Sequence, residues 1–424
     1  MDTGWHGRTE PHLAFPFLPR FPGWLPVVLF MLILLGTAGD HPRSVPSPPA
    51  VAPRLPPPPP CAADPAGLAP ARGPNGRLLD YWHTCGVYIV DRTGRPIRIA
   101  GVAWSGMELG GGAPQGLDRQ GYRTILSIVK ALGYNVIRIP FSSASIQPDF
   151  HPTNIDDRLN PDLRGLTGLE ILDHIIAACG RLGLKVILDH HRIAPWSVPP
   201  LWFDDTYSEE QWITDWQRLA RRYAGNDTVV GFDLQNEPYG ATWAAGDPRT
   251  DWHRAATRAG NAILAVNPRL LIFVQGIGRD GGQDYWYGGE LRGVARAAIH
   301  LAIPGRLVYS PHEYGPSVYP QPWFFTPDFP SNLPGIWNTH WGFIVEHGLA
   351  PVVVGEMGAP ETGYDTGGTW QRALLSYLDY HHLGFITWAL NPGSTDTGSV
   401  LTSDWRTVNA ARQALFTPYL RSSP

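Results

Sequence analysis

Between Ile97 and Leu390 the chain passes eight times from a short β-rich run to a stretch of helical periodicity, a pattern that few folds can use. The runs are IRIAGVAW (97–104), NVIRIPF (135–141), KVILDHH (185–191), VVGFDLQNE (229–237), LLIFVQG (270–276), RLVYSPHEY (306–314), PVVVGEM (351–357) and GFITWAL (384–390). Helical spacing shows between them at Tyr122, Ile125, Val129 and Leu132, in EEQWITDWQRLARRYAG, and in TWQRALLSYLDYHHLG, where Gly384 is expected at the C′ position. Parallel strands need helical crossovers, and eight such units close a filled barrel. The prediction is an α/β fold, a (β/α)8 TIM barrel. A doubly wound open sheet could hold the same elements but gives no reason for eight evenly spaced units.

The N-terminal part has a different character. Residues 25–35, LPVVLFMLILL, are an apolar run flanked by Arg8, Arg20 and the small residues GTAG. It is short for a membrane span and fits the core of an export signal, so 1–39 is expected to be a signal peptide or signal anchor. Residues 41–76 carry 13 prolines in 36 positions, and 40–76 is therefore expected to be a disordered linker, with the barrel domain occupying 77–421. The protein is expected to be secreted, or held at a membrane by residues 25–35. Of three cysteines, Cys61, Cys85 and Cys179, one pair can bridge and one thiol must be left over.

A barrel puts its chemistry at the C-terminal ends of its strands. Those ends here carry Arg138, His191, Asn236 with Glu237, His312 with Tyr314, Glu356 and Trp388. Glu237 closes the fourth run and Glu356 the seventh, so the two carboxyl groups can face one another across a ligand. Two such groups flanking a bond are what glycoside hydrolysis needs: one protonates the leaving oxygen while the other attacks the anomeric carbon or activates water. Arg138 could keep Glu356 ionised and Tyr314 could hydrogen-bond to it; Asn236 could donate to a sugar hydroxyl, and Pro238 would fix the turn. His191 and His312 lack the spacing of a zinc site. The net charge of −4 argues against a nucleic-acid partner. The 17 tryptophans suit stacking on sugar rings, although most are expected in the core.

The motifs YWHTCG, NVIRIPF, ILDHHR, VVGFDLQNEP, TRAGNAIL, RLVYSPHEY, SVYPQPWF, PGIWN, VVVGEMG and NPGSTDTG, spread over residues 80–420, resemble those of the glycoside hydrolase family 5 cellulases. The resemblance implies a retaining endo-β-1,4-glucanase that needs no cofactor or metal. It implies Glu237 as acid/base and Glu356 as nucleophile, with Arg138, His191, Asn236, His312, Tyr314 and Trp388 completing the active site. Trp286 and Tyr319 keep family-like positions and are candidates for sugar contact. The implied partner is a β-glucan, with no stable protein partner and a monomer expected; the same mechanism on mannan, mixed-linkage glucan or short oligosaccharides, or a non-catalytic carbohydrate-binding protein, are the alternatives. The chain departs from the family at Asp118, at Tyr287 and at Leu390, where relatives carry aromatic residues, and it lacks cysteines that bridge in similar enzymes.

Overall fold

The computed structural model describes Cys61 and most residues from Asp64 to Leu420. The expected export segment and most of the proline-rich stretch lie outside the described residues. Parallel strands form the centre: β1 (Ala100–Ala103), β2 (Val136–Ser142), β3 (Lys185–Arg192), β4 (Val229–Asp233), β5 (Leu271–Val274), β6 (Leu307–Tyr309), β7 (His312–Tyr314), β8 (Val353–Gly358) and β9 (Gly384–Thr387). They pair in the order β6-β5-β4-β3-β2-β1-β9-β8-β7, and a bridge from Tyr309 to Val352 closes the ring into the predicted barrel.

The sixth run was expected to be one strand and is two. Its lower half pairs with β5 and its upper half with β8, and the break falls at Ser310-Pro311, where proline has no N–H to give the ladder. The side-chain alternation of β2, β3 and β8 sorts residues between two apolar layers. Val136, Ile187, Val353 and Ile386 fill the barrel interior, whereas Ile137, Val186, Leu188 and Val354 face the helices. Inward-facing Arg138 and Asp189 follow Val136 and Ile187 by two residues and His191 follows Ile187 by four, which is how one pleat face delivers polar groups to the mouth; Glu356 comes three residues after Val353, and a register irregularity between Val354 and Met357 breaks the alternation there.

The helices between the strands include α1 (Tyr122–Leu132), α2 (Gly168–Leu182), α3 (Glu209–Arg222), α4 (Trp252–Val266), α5 (Leu333–Trp337), α6 (Phe343–Glu346), α7 (Thr366–Tyr380) and α8 (Ala410–Phe416). Their starts are well signalled: Thr167 and Glu170 form a capping box on α2, and Ser208, Asp251, Asp365 and Asn409 cap α3, α4, α7 and α8. Gly384 is not the C′ residue of α7. That helix ends at Tyr380, His382 takes the left-handed conformation (φ 53°), and Gly384 opens β9, where a Cβ would lie 2.9 Å from the Ile99 carbonyl oxygen. Among the described residues nine tryptophans are fully buried, as the core reading expected.

The boundary at residue 77 is also corrected. Described residues from Cys61 onward are anchored to the N-terminal end of the barrel: Cys61 is bridged to Cys85, leaving Cys179 as the buried free thiol. Asp64 meets the buried guanidinium of Arg306 at 2.6 Å, just before β6, and Ala69 accepts from Arg269, just before β5. A small antiparallel sheet (His83–Cys85, Tyr88–Val90, Pro96–Ile97) floors the same end, with Trp82 and Ile89 in the interior cluster. Proline-rich composition hid these specific anchors.

Candidate active site

At the opposite end, one guanidinium organises the cluster. Arg138, third residue of β2 and fully buried, donates through Nε to Asp233 at 3.0 Å, through Nη1 to Glu356 Oε1 at 2.5 Å and through Nη2 to Asn236 Oδ1 at 3.2 Å, with Asp189 3.1 Å from Nη2. Burial alone would disfavour its charge, but Asp189, Asp233 and Glu356 outweigh that and raise its pKa, so it stays cationic. Asp189 and Asp233 share this cation, and burial pushes the pair up to about 7 against its pull. These two carboxylates went unnoticed in the sequence, although Asp189 sits at the two-residue interval between Ile187 and His191 that points it inward.

Glu356 lies on β8 directly opposite His312 on β7. Besides Arg138, it accepts a short hydrogen bond from the Tyr314 hydroxyl on Oε2. Its pKa is raised by burial, and Arg138, His191 and Tyr314 work against the rise. Glu237 follows β4 by four residues rather than ending the strand. Its Oε1 is 2.9 Å from His312 Nδ1, and its side chain keeps 21 % exposure where that of Glu356 keeps 3 %. Burial, then the charge of Glu356, hold its pKa well above the usual carboxylate range. Oxygens of the two carboxylates approach within 4.8 Å. So close an approach suits the narrow spacing of ~5–5.5 Å at which one carboxylate attacks the sugar directly.

The supporting residues complete a directed chain. His191 places Nδ1 2.7 Å from Asp189, stacks on Trp388 at 5.4 Å, and turns Nε2 toward Asn236 Nδ2 at 3.4 Å. Burial lowers the pKa of both His191 and His312 well below 6.5, so both rings are neutral near neutral pH. With Asn236 Oδ1 held by Arg138, its amide nitrogen is left pointing toward the imidazole and the mouth. Trp388 is anchored from below by the buried Arg412, which donates to its carbonyl at 3.2 Å.

Pro238 lies inside the turn, its carbonyl accepting from Ala241 N–H at 3.0 Å, and further contacts hold the residue before it. Glu237 itself takes φ 46°, and its N–H donates to Gln275 Oε1 at 2.8 Å, while Gln275 Nε2 donates to Asp233 at 3.0 Å. Gly288 closes over this arrangement. A Cβ there would lie 2.9 Å from Gln275 Oε1 and 3.2 Å from both Glu237 Cγ and His312 Cγ. Neither residue had a local sequence signal, because their partners come from a different loop.

All eight catalytic and supporting residues predicted for the mouth converge here. Of the two sugar-contact candidates, Trp286 is 5 % exposed, with its ring edge-on to Tyr314 at 6.0 Å, so it buttresses that tyrosine and offers no open face. Its neighbour Tyr287 turns outward and stacks on Tyr239 at 4.5 Å. Tyr319 stands on the rim after β7, about half exposed. Two sets, Asp189/His191/Glu356 and Glu237/His312/Glu356, bring ligand-type atoms within 4.8 Å of one another. Arg138 already supplies positive charge to Asp189 and Glu356, which a metal ion would have to oppose.

Comparison with known proteins agrees with this chemistry. Residues 90–394 match the cellulase family, glycosyl hydrolase family 5. An endoglucanase of Paenibacillus polymyxa is 44 % identical over 352 residues, covering 82 % of this chain and 89 % of that protein. The major extracellular endoglucanase of Xanthomonas campestris pv. campestris is 39 % identical over 358 residues, covering 82 % and 72 %. The solved endocellulase of Pyrococcus horikoshii, in complex with cellotetraose, superposes with a TM-score of 0.76 at 37 % identity, covering 81 % of this chain and 99 % of that one.

Proposed function

Because the chain belongs to glycosyl hydrolase family 5 and is a retaining endo-β-1,4-glucanase, we propose that Glu356 is its nucleophile and Glu237 its acid/base. The observation that carries the assignment is the inequality of the two carboxyl groups. Glu356 is held by a buried cation and a hydroxyl, whereas Glu237 faces the neutral ring of His312 and feels the charge of Glu356. The first gives up its proton more readily, as a nucleophile must, and the second keeps it, as an acid must.

In the first step a Glu356 oxygen bonds to the anomeric carbon. The glycosidic C–O bond breaks, and its oxygen takes the proton of Glu237. Asn236, aimed by Arg138 and His191, meets the hydroxyl beside the reacting carbon, and Trp388 floors the sugar. Once Glu356 is an ester its charge is gone. The second-largest cause raising Glu237 then disappears, its pKa falls, and it becomes the base that takes a proton from the attacking water. Water adds to the anomeric carbon, the ester bond breaks, and configuration is retained. One electrostatic coupling thus serves both half-reactions.

The test uses Glu237→Ala and Glu356→Ala with an activated aryl cellobioside. Glu237→Ala should accumulate the glycosyl-enzyme, with azide restoring turnover and giving a β-azide; Glu356→Ala should form no such intermediate. Rescue of Glu356→Ala with retention, and none for Glu237→Ala, would reverse the roles.

We further propose that the enzyme works outside the cell as a monomer without a stable protein partner. Support for export comes from the apolar run at 25–35 and from the Cys61–Cys85 bridge, since disulfides persist in oxidising compartments.

A further inference from the structure

The loop after β3 carries an aromatic side chain that the catalytic cycle does not use. Trp196 is 77 % exposed, more than any other described tryptophan. Its position is nevertheless fixed. Ser197 N–H donates to the Ala194 carbonyl at 3.1 Å, and Ser197 Oγ donates to that carbonyl at 3.0 Å while accepting from Ala194 N–H at 3.2 Å. These bonds close a turn with Pro195 and Trp196 at its corners, and Arg192 Nη1 donates to the Pro195 carbonyl at 3.1 Å. The far edge of the indole rests on Gly110, in the loop after β1: a Cβ there would stand 2.6 Å from both Cζ2 and Cη2.

A turn corner is ordinarily filled by a small or polar residue, and leaving an indole in water sacrifices the free energy of burying it. A rigid turn that presents an indole outward is therefore suited to a ligand with a flat apolar face. The surroundings extend that face. Val198 is 52 % exposed, and its carbonyl accepts from the Tyr239 hydroxyl at 3.4 Å. Tyr239 stacks on Tyr287 and lies two residues beyond Glu237. An apolar ledge thus runs from Trp196 to the residues flanking the acid/base.

We propose that Trp196 is a sugar-stacking subsite remote from the reacting bond, taking one glucosyl ring of a β-1,4-glucan chain on its exposed face. The inference rests on the reading of the chain as a β-glucan hydrolase. Equatorial hydroxyls leave the two faces of a β-linked glucosyl ring lined by C–H groups, which is the complement of an open indole. Its contribution belongs only to substrates long enough to reach it.

The experiment compares kcat/KM of the full chain and of Trp196→Ala, Trp196→Phe and Gly110→Ala on 4-nitrophenyl β-cellobioside and on cellotriose to cellohexaose. Trp196→Ala should leave the aryl cellobioside unchanged and lose about tenfold on the longest oligosaccharides, the worth of one well-covered apolar ring. Trp196→Phe should keep most of the gain with length, and Gly110→Ala, by displacing the indole, should show the pattern of Trp196→Ala. An unchanged length dependence in Trp196→Ala overturns the proposal. An equal loss on short and long substrates overturns it as well, since the indole would then serve the loop. Failure of the unmodified enzyme on every β-1,4 oligosaccharide would instead remove the glucanase reading beneath it.

Discussion

Replacing Gly288 by alanine puts the acid/base under direct mechanical load. The residue sits at φ 73°, where an alanine costs about 1–2 kcal/mol of backbone strain. The added methyl would also lie 2.9 Å from Gln275 Oε1 and 3.2 Å from Glu237 Cγ, inside ordinary contact distance. Gln275 must retreat, and with it goes the acceptor that holds the Glu237 N–H at 2.8 Å in its left-handed conformation. A displacement of ~0.5 Å at a proton donor is enough for roughly a tenfold loss, given that 1 Å can cost about a hundredfold. The loss should depend on the leaving group. Cleavage of carboxymethyl cellulose needs the proton and should fall about tenfold, whereas 2,4-dinitrophenyl cellobioside, whose leaving group departs as a stable anion, should keep most of its glycosylation rate. Single-turnover kinetics on both substrates, with a thermal melt to register the strain, make the measurement. Equal losses on the two substrates would refute the reasoning, because the damage would then extend to Glu356; so would no loss at all.

Three further outcomes are expected. The pKa of Glu237 should drop in Glu356→Gln, because the charge that raises it after burial is removed; carboxyl-carbon NMR titration would show this, and an unmoved value would refute the coupling. In the unmodified enzyme the same raised pKa makes activity on polysaccharide fall on the alkaline side, as Glu237 loses the proton it must donate. A chain beginning at Arg77 loses the Cys61–Cys85 cross-link and leaves Arg306 buried without Asp64. It should melt several degrees lower by calorimetry while keeping its kcat; an unchanged melting temperature would mean that the segment is only draped on the barrel.

How far the sequence could be read depended on whether a signal was local. Strand periodicity and strand-end chemistry are local, so the barrel and the eight mouth residues are legible in the sequence. Pro311 also announced the split of the sixth run, since proline interrupts a ladder wherever it falls, but the continuity of VYSPHEY concealed it. In DYWYGG three adjacent aromatics compete for one open face, and adjacency does not say which wins; the backbone buries Tyr285 and Trp286 and turns Tyr287 out. Gln275 and Gly288 act on Glu237 across a loop junction, and Asp64 acts on Arg306 over 242 positions, so no window of sequence contains either relation. Three cysteines allow three pairings, and only the folded floor selects Cys61 with Cys85.

That floor has an architectural consequence. Cys61, Asp64 and Ala69 attach the incoming polypeptide beside the starts of β5 and β6, at the pole farthest from Glu237 and Glu356. The described start of the chain is therefore anchored on the side of the barrel that carries no catalytic group. The mouth is left to meet a substrate as broad as a polysaccharide fibre without residues 61–69 lying across it.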